Sequence, residues 1–136
     1  MRPALAWIAV VCCACAEAGS LGRVPEGKWG GAHAALTVEQ AGARVELDCA
    51  HGEATAPLLL DEGGRFDVPG YYVQEHGGPN REEEDDRRPA RYLGSADERE
   101  VRLSIHLTDD SSTIGPFSMI LGSPAQLVKC PSHQEP

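Results

Sequence analysis

The sequence lacks any apolar run near the ~18 residues that suggest a membrane-spanning helix. It is also poor in basic residues, with 12 Lys and Arg against 21 Asp and Glu and a formal net charge of −9. A protein that binds the phosphate backbone needs a basic face, so this balance argues against nucleic acid as a partner. The length of 136 residues predicts a single domain.

Common catalytic motifs are also missing from the sequence. It has no H-E-x-x-H or H-x-H spacing for a metal, no G-x-S-x-G for a serine nucleophile, and no predicted helix for a phosphate-binding glycine loop to open. Its paired carboxylates cluster in one stretch, where solvent leaves them ordinary acids. We therefore predict no catalytic residue, no metal ligand set and no cofactor, and expect a protein that is not an enzyme.

The first 18 residues have the pattern of an export signal. Arg2 supplies a positive charge, residues 3–11 are apolar, and small residues at 14, 16 and 18 suit signal peptidase. We expect cleavage after Ala16 or Ala18 and an extracytoplasmic mature protein, either periplasmic or secreted. A buried N-terminal helix is the alternative, but it explains neither the charge order nor the small residues.

Three cysteines lie in this segment: Cys12, Cys13 and Cys15. A cysteine directly after an apolar stretch can carry the lipid of a bacterial lipoprotein, which makes Cys12 and Cys15 candidate lipidation sites. The residues before them differ from the usual Leu, then Ala or Ser, then Gly or Ala, so soluble export is favoured over a lipid anchor. Such an anchor would be the one predicted contact with a membrane.

Cleavage would leave two cysteines, Cys49 and Cys130. An even pair in an exported chain predicts one disulfide. The bridge would enclose about 80 residues and, in the chain-entropy model, would contribute up to ~4 kcal/mol of stability.

Alternation of apolar and polar residues with period two dominates the rest of the chain. We predict eight strands, at 29–39, 43–49, 54–60, 66–75, 90–94, 101–108, 114–121 and 126–130, with residues 50–52 as a turn. Short connections make neighbours in sequence neighbours in space. This favours an all-β, eight-stranded antiparallel up-and-down barrel, in which the last strand pairs with the first. A two-sheet sandwich of the same strands is the alternative.

The segments outside these strands are expected to be irregular. Residues 19–27 predict a flexible lead-in to a single barrel domain at 28–130, and 131–136 predict a tail. Residues 77–88 read GGPNREEEDDRR, and their five consecutive acids predict a solvated loop. A patch that binds cations or docks a partner is the functional alternative for this acidic loop.

The tripeptide Gly27-Lys28-Trp29 resembles the Gly-x-Trp that opens lipocalin-like barrels. In that family the tryptophan closes the bottom of the barrel and packs against a basic residue from late in the chain. The resemblance therefore implies a similar role for Trp29, with Lys129 as the basic counterpart.

Six short phrases are spread over nearly all of the mature chain: W-G-G-x-H from Trp29, D-C-A-H-G from Asp48, Gly64-Arg65-Phe66, Gly77-Gly78-Pro79, P-A-R-Y from Pro89 and Lys129-Cys130. Together they resemble a family of short uncharacterised bacterial exported proteins and lipoproteins. This resemblance implies an extracytoplasmic β-domain and supplies no activity.

Candidate site residues are few. Trp29, Tyr72 and Tyr92 could line a ligand cup together with His33, although aromatic residues in strands more often pack a core. A metal site built from His33, Asp48 and His51 is an alternative, if the hairpins bring the three side chains together. Because the strands are short, we expect side chains rather than a ligand to fill the barrel.

These observations predict an exported, non-enzymatic binding module, most simply a monomer. Its partner would be a small apolar ligand or a protein held at the barrel mouth or loops, and inhibition of a secreted enzyme is one form this could take. One alternative is a metal-handling protein or small hydrolase that uses His33, Asp48 and His51. Another is a structural envelope protein whose acidic loop contacts cations or a basic partner.

Overall fold

The computed structural model describes residues 22–75 and 87–130. The export signal, with Cys12 and Cys15, lies outside these residues, as do positions 77–86 of the acidic loop and the 131–136 tail. Within the described part of the chain, no helix is long and apolar enough to cross a membrane.

Eight antiparallel strands close into a barrel, each paired with its neighbours in sequence and the last paired with the first. The strands are β1 (Gly27–Gly31), β2 (Ala34–Glu39), β3 (Gly42–Leu47), β4 (Ala50–Ala54), β5 (Arg65–Gln74), β6 (Arg88–Ala96), β7 (Glu100–Leu107) and β8 (Thr113–Leu121). This confirms the all-β, up-and-down barrel, and it excludes the two-sheet sandwich.

The period-two alternation of the sequence becomes the inside and outside of the barrel. Along β7, for example, Val101, Leu103 and Ile105 are buried, and the residues between them face outwards. The buried apolar side chains form one cluster that fills the interior, from Trp29 on β1 to Met119 on β8.

Three of the predicted strands were placed wrongly, although the total was right. The first predicted strand is two strands, because the chain reverses at Ala32 and His33, where His33 has a φ of 66°. Residues 54–60 are mostly loop, and their place in the barrel is taken by β4, which begins in the predicted turn. Residues 126–130 form no strand, so β8 instead pairs with β1.

Tyr92 explains why the start of β4 resembled a turn. Its hydroxyl occupies the space that a Cβ at Gly52 would need, and its ring lies against Gly70 on β5. Gly52 therefore makes room for a large side chain inside a regular strand. The Tyr92 hydroxyl donates a hydrogen bond of 2.6 Å to the carbonyl oxygen of Tyr71, which satisfies its polar end.

Residues 22–27 of the predicted lead-in at 19–27 contact the rest of the barrel. Arg23 forms a bridge with Leu59, and the Val24 amide donates to the Leu58 carbonyl over 2.9 Å. Val24 and Leu58 are both fully buried, so this pair covers the end of the barrel at which β1 begins. Residues 22–27 are therefore attached to the barrel by these contacts.

The seam between β1 and β8 is short, with two paired positions, Trp29 with Leu121 and Gly30 with Ile120. Beyond β8, residues 122–130, here called the C-terminal segment, turn back along β1. The Gly122 amide donates to Lys28, and the Gln126 amide donates to Gly31 over 3.0 Å. The segment crosses the outer face of β1 at Gly30, where any Cβ would overlap its backbone. It therefore extends the pairing of β1 where β8 has ended.

Candidate functional site

Three of the four predicted ligand-binding residues lie in the core. Trp29 and Tyr92 are each 1% exposed and Tyr72 is 7% exposed, so all three pack within the barrel. Burial is the main cause that raises the pKa of Tyr92 far above its usual value. The fourth residue, His33, is exposed in the turn between β1 and β2, away from these aromatic rings.

Trp29 and Lys129, which the lipocalin-like resemblance pairs, have different hydrogen-bond partners. The indole nitrogen of Trp29 donates to the Pro25 carbonyl over 3.1 Å, at the end of the barrel where β1 starts. The Lys129 ammonium lies by the last residues of β3, where it donates to Glu46 over 2.8 Å and to the Leu47 carbonyl over 2.9 Å. The C-terminal segment carries it there.

A cluster of ionisable side chains surrounds this position, here called the His–carboxylate cluster. Its members are His33, Glu46, Asp48, His51, Glu75 and Lys129. Asp48, in the turn between β3 and β4, accepts from the Val128 amide over 2.8 Å and contacts His33 Nδ1 at 2.6 Å. The Val128 amide, followed by His33, lowers the pKa of Asp48.

Glu75 joins the second half of the cluster. One of its oxygens lies 2.9 Å from His51 Nδ1, and both lie 3.2 Å from the Lys129 ammonium. Partial burial acts to raise the pKa of Glu75, but the hydrogen bonds from His51 and Lys129 outweigh it and lower the pKa. Opposing contributions also act on Lys129, whose pKa is raised by Glu46 and Glu75 despite its burial.

The structure brings together two of the three residues of the predicted metal site and pairs the third elsewhere. His33 pairs with Asp48, whereas His51 on β4 pairs with Glu75. No group of three or more His, Cys, Asp or Glu side chains within residues 22–75 and 87–130 is placed to hold a metal ion. The cluster instead binds the C-terminal segment: Asp48 accepts from the Val128 amide, and Lys129 donates to Glu46 and Glu75.

Cys49 and Cys130 lie beside the same contacts. Their Cα atoms are 5.1 Å apart, a distance suited to a disulfide, and the structure joins them. The Cys130 amide also donates to the Asp48 carbonyl over 3.1 Å. The covalent bond, the ion pairs and the backbone hydrogen bonds thus fasten the C-terminal segment at one point.

Acidification should weaken this attachment. The pKa values of Asp48 and Glu75 in the folded protein lie below their usual 3.8 and 4.5. Their contribution to stability is therefore complete above those usual values and is lost as the pH falls through the lower folded-state values. Thermal unfolding followed by circular dichroism from pH 7 to pH 3 should show a smaller loss of melting temperature in Asp48→Asn than in the unmodified protein. Parallel profiles would contradict the assignment for Asp48.

A second feature lies on the outer surface, where an open groove of about 890 Å³ follows β5, β6 and β7. Leu59 and Leu60 form one wall, Phe66 and Leu93 contribute to the floor, and Pro116 on β8 borders the far side. Leu59 is 59% exposed, so the groove has an apolar surface in contact with solvent.

The strand register aligns the polar side chains of this groove. Arg65 on β5 pairs with Ser95 on β6, which pairs with Arg102 on β7, so the three form one row across the outer face. The next row contains Asp67, Leu93 and Ser104. Alternation in the sequence places Arg65, Asp67, Arg102 and Ser104 on the polar faces of their strands. Their grouping depends on register, which the sequence does not specify between distant strands.

The acidic groups of the groove already have partners. Asp67 accepts from the Arg91 guanidinium over 2.8 Å, and Asp61 accepts from the amides of Gly63 and Arg65 over 2.8 and 3.0 Å. In contrast, the guanidinium groups of Arg65 and Arg102 have no hydrogen-bond or ion-pair partner within the described part of the chain. The groove therefore presents available donors beside apolar side chains.

These features define the protein as a closed eight-stranded barrel with a filled interior, a fastened C-terminal segment and an external groove. Comparison of the chain with protein-family models, curated proteins and solved structures finds no match. Function is therefore argued from the chemistry of the sites themselves.

Proposed function

We propose that the protein is an extracytoplasmic, non-enzymatic binding module that holds a partner in the external groove. The contrast between the inside and the outside of the barrel carries this proposal. The interior is filled by the protein's own side chains, whereas the groove combines exposed apolar surface with two guanidinium groups that have no partner within residues 22–75 and 87–130. Such a combination is typical of recognition surfaces, in which apolar anchors are bordered by polar groups.

The extracytoplasmic part of the proposal is supported by the disulfide. Cys49 and Cys130 are placed to form a bond that persists in oxidising compartments and is rare in the cytosol. The signal pattern at residues 1–18 favours the same location. Inhibition of a secreted enzyme is one activity that a rigid module of this kind would suit.

The internal bonding of the His–carboxylate cluster argues against hydrolysis as the function. Asp48 and Glu75 each accept hydrogen bonds from the C-terminal segment as well as from a histidine. Their bonding capacity is thus used largely to hold the fold together. This leaves the groove as the surface that best supports a function.

Substitution within the groove should abolish partner capture. Leu93→Arg places a long charged side chain where the floor is apolar, and Val128→Arg makes a similar change on the C-terminal segment, outside the groove. Val128 is 70% exposed, so its substitution should leave the fold intact. Mature protein immobilised on a resin should capture a binding partner from the exterior fraction, meaning the periplasmic or secreted proteins of the source cells. The Val128→Arg variant should still capture this partner, and the Leu93→Arg variant should not.

Circular dichroism of both variants provides the control for folding. Capture that Leu93→Arg retains in full would contradict the groove as the binding surface. The absence of any captured component from the exterior fraction would contradict the module itself.

A further inference from the structure

We infer that the groove recognises an extended segment of another protein in which carboxylate side chains alternate with apolar ones. This inference rests on the proposed function and specifies the chemistry of the partner. It follows from the guanidinium groups of Arg65 and Arg102, which have no partner among the described residues, from the apolar residues beside them, and from the open shape of the groove.

Charge complementarity identifies the partner as acidic. The chain as a whole has a net charge of −9, yet its groove presents Arg65 and Arg102 in one row, on either side of Ser95. Asp67, the carboxylate nearest along β5, is neutralised by Arg91. A guanidinium offers donors and no acceptor, and it binds carboxylates through paired hydrogen bonds. A carboxylate on the partner is thus the group that these two arginines would bind.

The apolar part of the partner is indicated by the residues of the next row. Leu93 stands between Asp67 and Ser104 on the outer face, and Leu59 and Leu60 extend the apolar surface. Arg102 and Leu93 belong to neighbouring rows of a sheet, and side chains of neighbouring rows on one face are ~7 Å apart. Residues two apart in an extended strand also point to one side, at about this spacing. An extended segment can therefore present a carboxylate and an apolar side chain to the two rows.

The shape of the groove favours a polypeptide over a small molecule. Sites for small molecules usually enclose most of the ligand, whereas this groove lies open on the outer face of the barrel. Ser95 and Ser104 add hydroxyl groups that can bond to a peptide backbone. A fatty acid would offer the same negative charge and apolar character as such a peptide. The experiment below therefore tests a fatty acid beside the peptides.

Nuclear magnetic resonance of the ¹⁵N-labelled mature protein tests this inference. The probes are the capped peptide Leu-Glu-Leu-Glu-Leu, its Leu-Gln-Leu-Gln-Leu isostere, and decanoate. The acidic peptide should shift the amide signals of Leu93, Ser95 and Ser104 in a saturable way, with a dissociation constant on the order of 1 mM or below. The isostere should bind about tenfold more weakly, because a bond to a charged acceptor is replaced by a neutral one.

Arginine variants supply the matched controls. Arg102→Gln and Arg65→Gln should each weaken binding of the acidic peptide about fivefold to tenfold. Arg44→Gln removes the same charge from β3, outside the groove, and should leave binding unchanged. Binding should also weaken as salt is raised from about 0.05 to 0.3 M.

Several outcomes would overturn the inference. Equal binding of both peptides, or no saturable shift with the acidic one, excludes an acidic segment as the partner. Saturation by decanoate alone identifies the occupant as a lipid. A dimer in solution that Arg102→Gln disrupts identifies the occupant as a second copy of this chain. If Leu93→Arg loses capture from the exterior fraction while the arginine variants retain it, the binding module stands and the acidic partner is rejected.

Discussion

Replacement of Cys49 and Cys130 by alanine, in one double variant, should lower the free energy of unfolding by about 3–4 kcal/mol. The two cysteines are 81 residues apart in sequence, so the bond restricts a large part of the unfolded chain. Urea unfolding followed by circular dichroism measures the difference.

The unmodified protein in the presence of a reducing agent provides the matched comparison. Its free energy of unfolding should equal that of the double variant, because both lack the same bond. Limited proteolysis should also cleave the C-terminal segment earlier in both, since Asp48 and Lys129 would then hold it without covalent help. If the double variant loses less than about 1 kcal/mol of unfolding free energy, the disulfide contributes little to stability beyond the non-covalent contacts of the C-terminal segment.

Tyr92→Ala should destabilise the barrel by about 3–5 kcal/mol. The side chain is 1% exposed, crosses the interior towards Gly52, and lies against Gly70. Both glycines provide room for it, so neighbouring side chains cannot readily fill the space that its removal leaves. The free energy of unfolding in urea is again the measured quantity.

Tyr92→Phe separates the contribution of the ring from that of the hydroxyl. It keeps the ring and removes the hydrogen bond to the Tyr71 carbonyl, which should cost about 1 kcal/mol. If the alanine and phenylalanine variants were equally stable, the ring would not be the part of Tyr92 that supports the core.

The fold class could be predicted from the sequence because a strand with one buried face has an apolar residue at every second position. Val101, Leu103 and Ile105 on β7 show this pattern, and β7 extends over Glu100–Leu107, close to its predicted range. The strand β4 was missed because its inward positions are Ala50, Gly52 and Ala54, which are too small to give a clear apolar alternation, and because glycine is common in turns. Their size is explained by Tyr92, which comes from a strand about 40 residues later in the chain.

The site was harder to predict than the fold. Sequence patterns singled out His33, Asp48 and His51. The structure pairs the first two with each other and pairs His51 with Glu75 instead, within one cluster. The groove was missed entirely, since it joins residues from β5, β6 and β7 with the loop that follows β4. Nothing local distinguishes Arg65 or Arg102 from other surface arginines. Their common row exists because of strand register, which depends on the whole barrel.

The short seam between β1 and β8 has a consequence for the order of folding. Seven of the eight strand pairings join neighbours in sequence and can form as each hairpin is completed. Closure of the ring joins Trp29 to Leu121, a contact of long sequence separation that carries the largest cost in chain entropy. During folding, one edge of β1 therefore stays unpaired until β8, near the end of the chain, has been added to the sheet. An unpaired strand edge is open to association with other chains until then. The Cys49–Cys130 bond ties down the C-terminal segment, which also donates hydrogen bonds to β1, so it helps to keep this edge covered once the ring has closed.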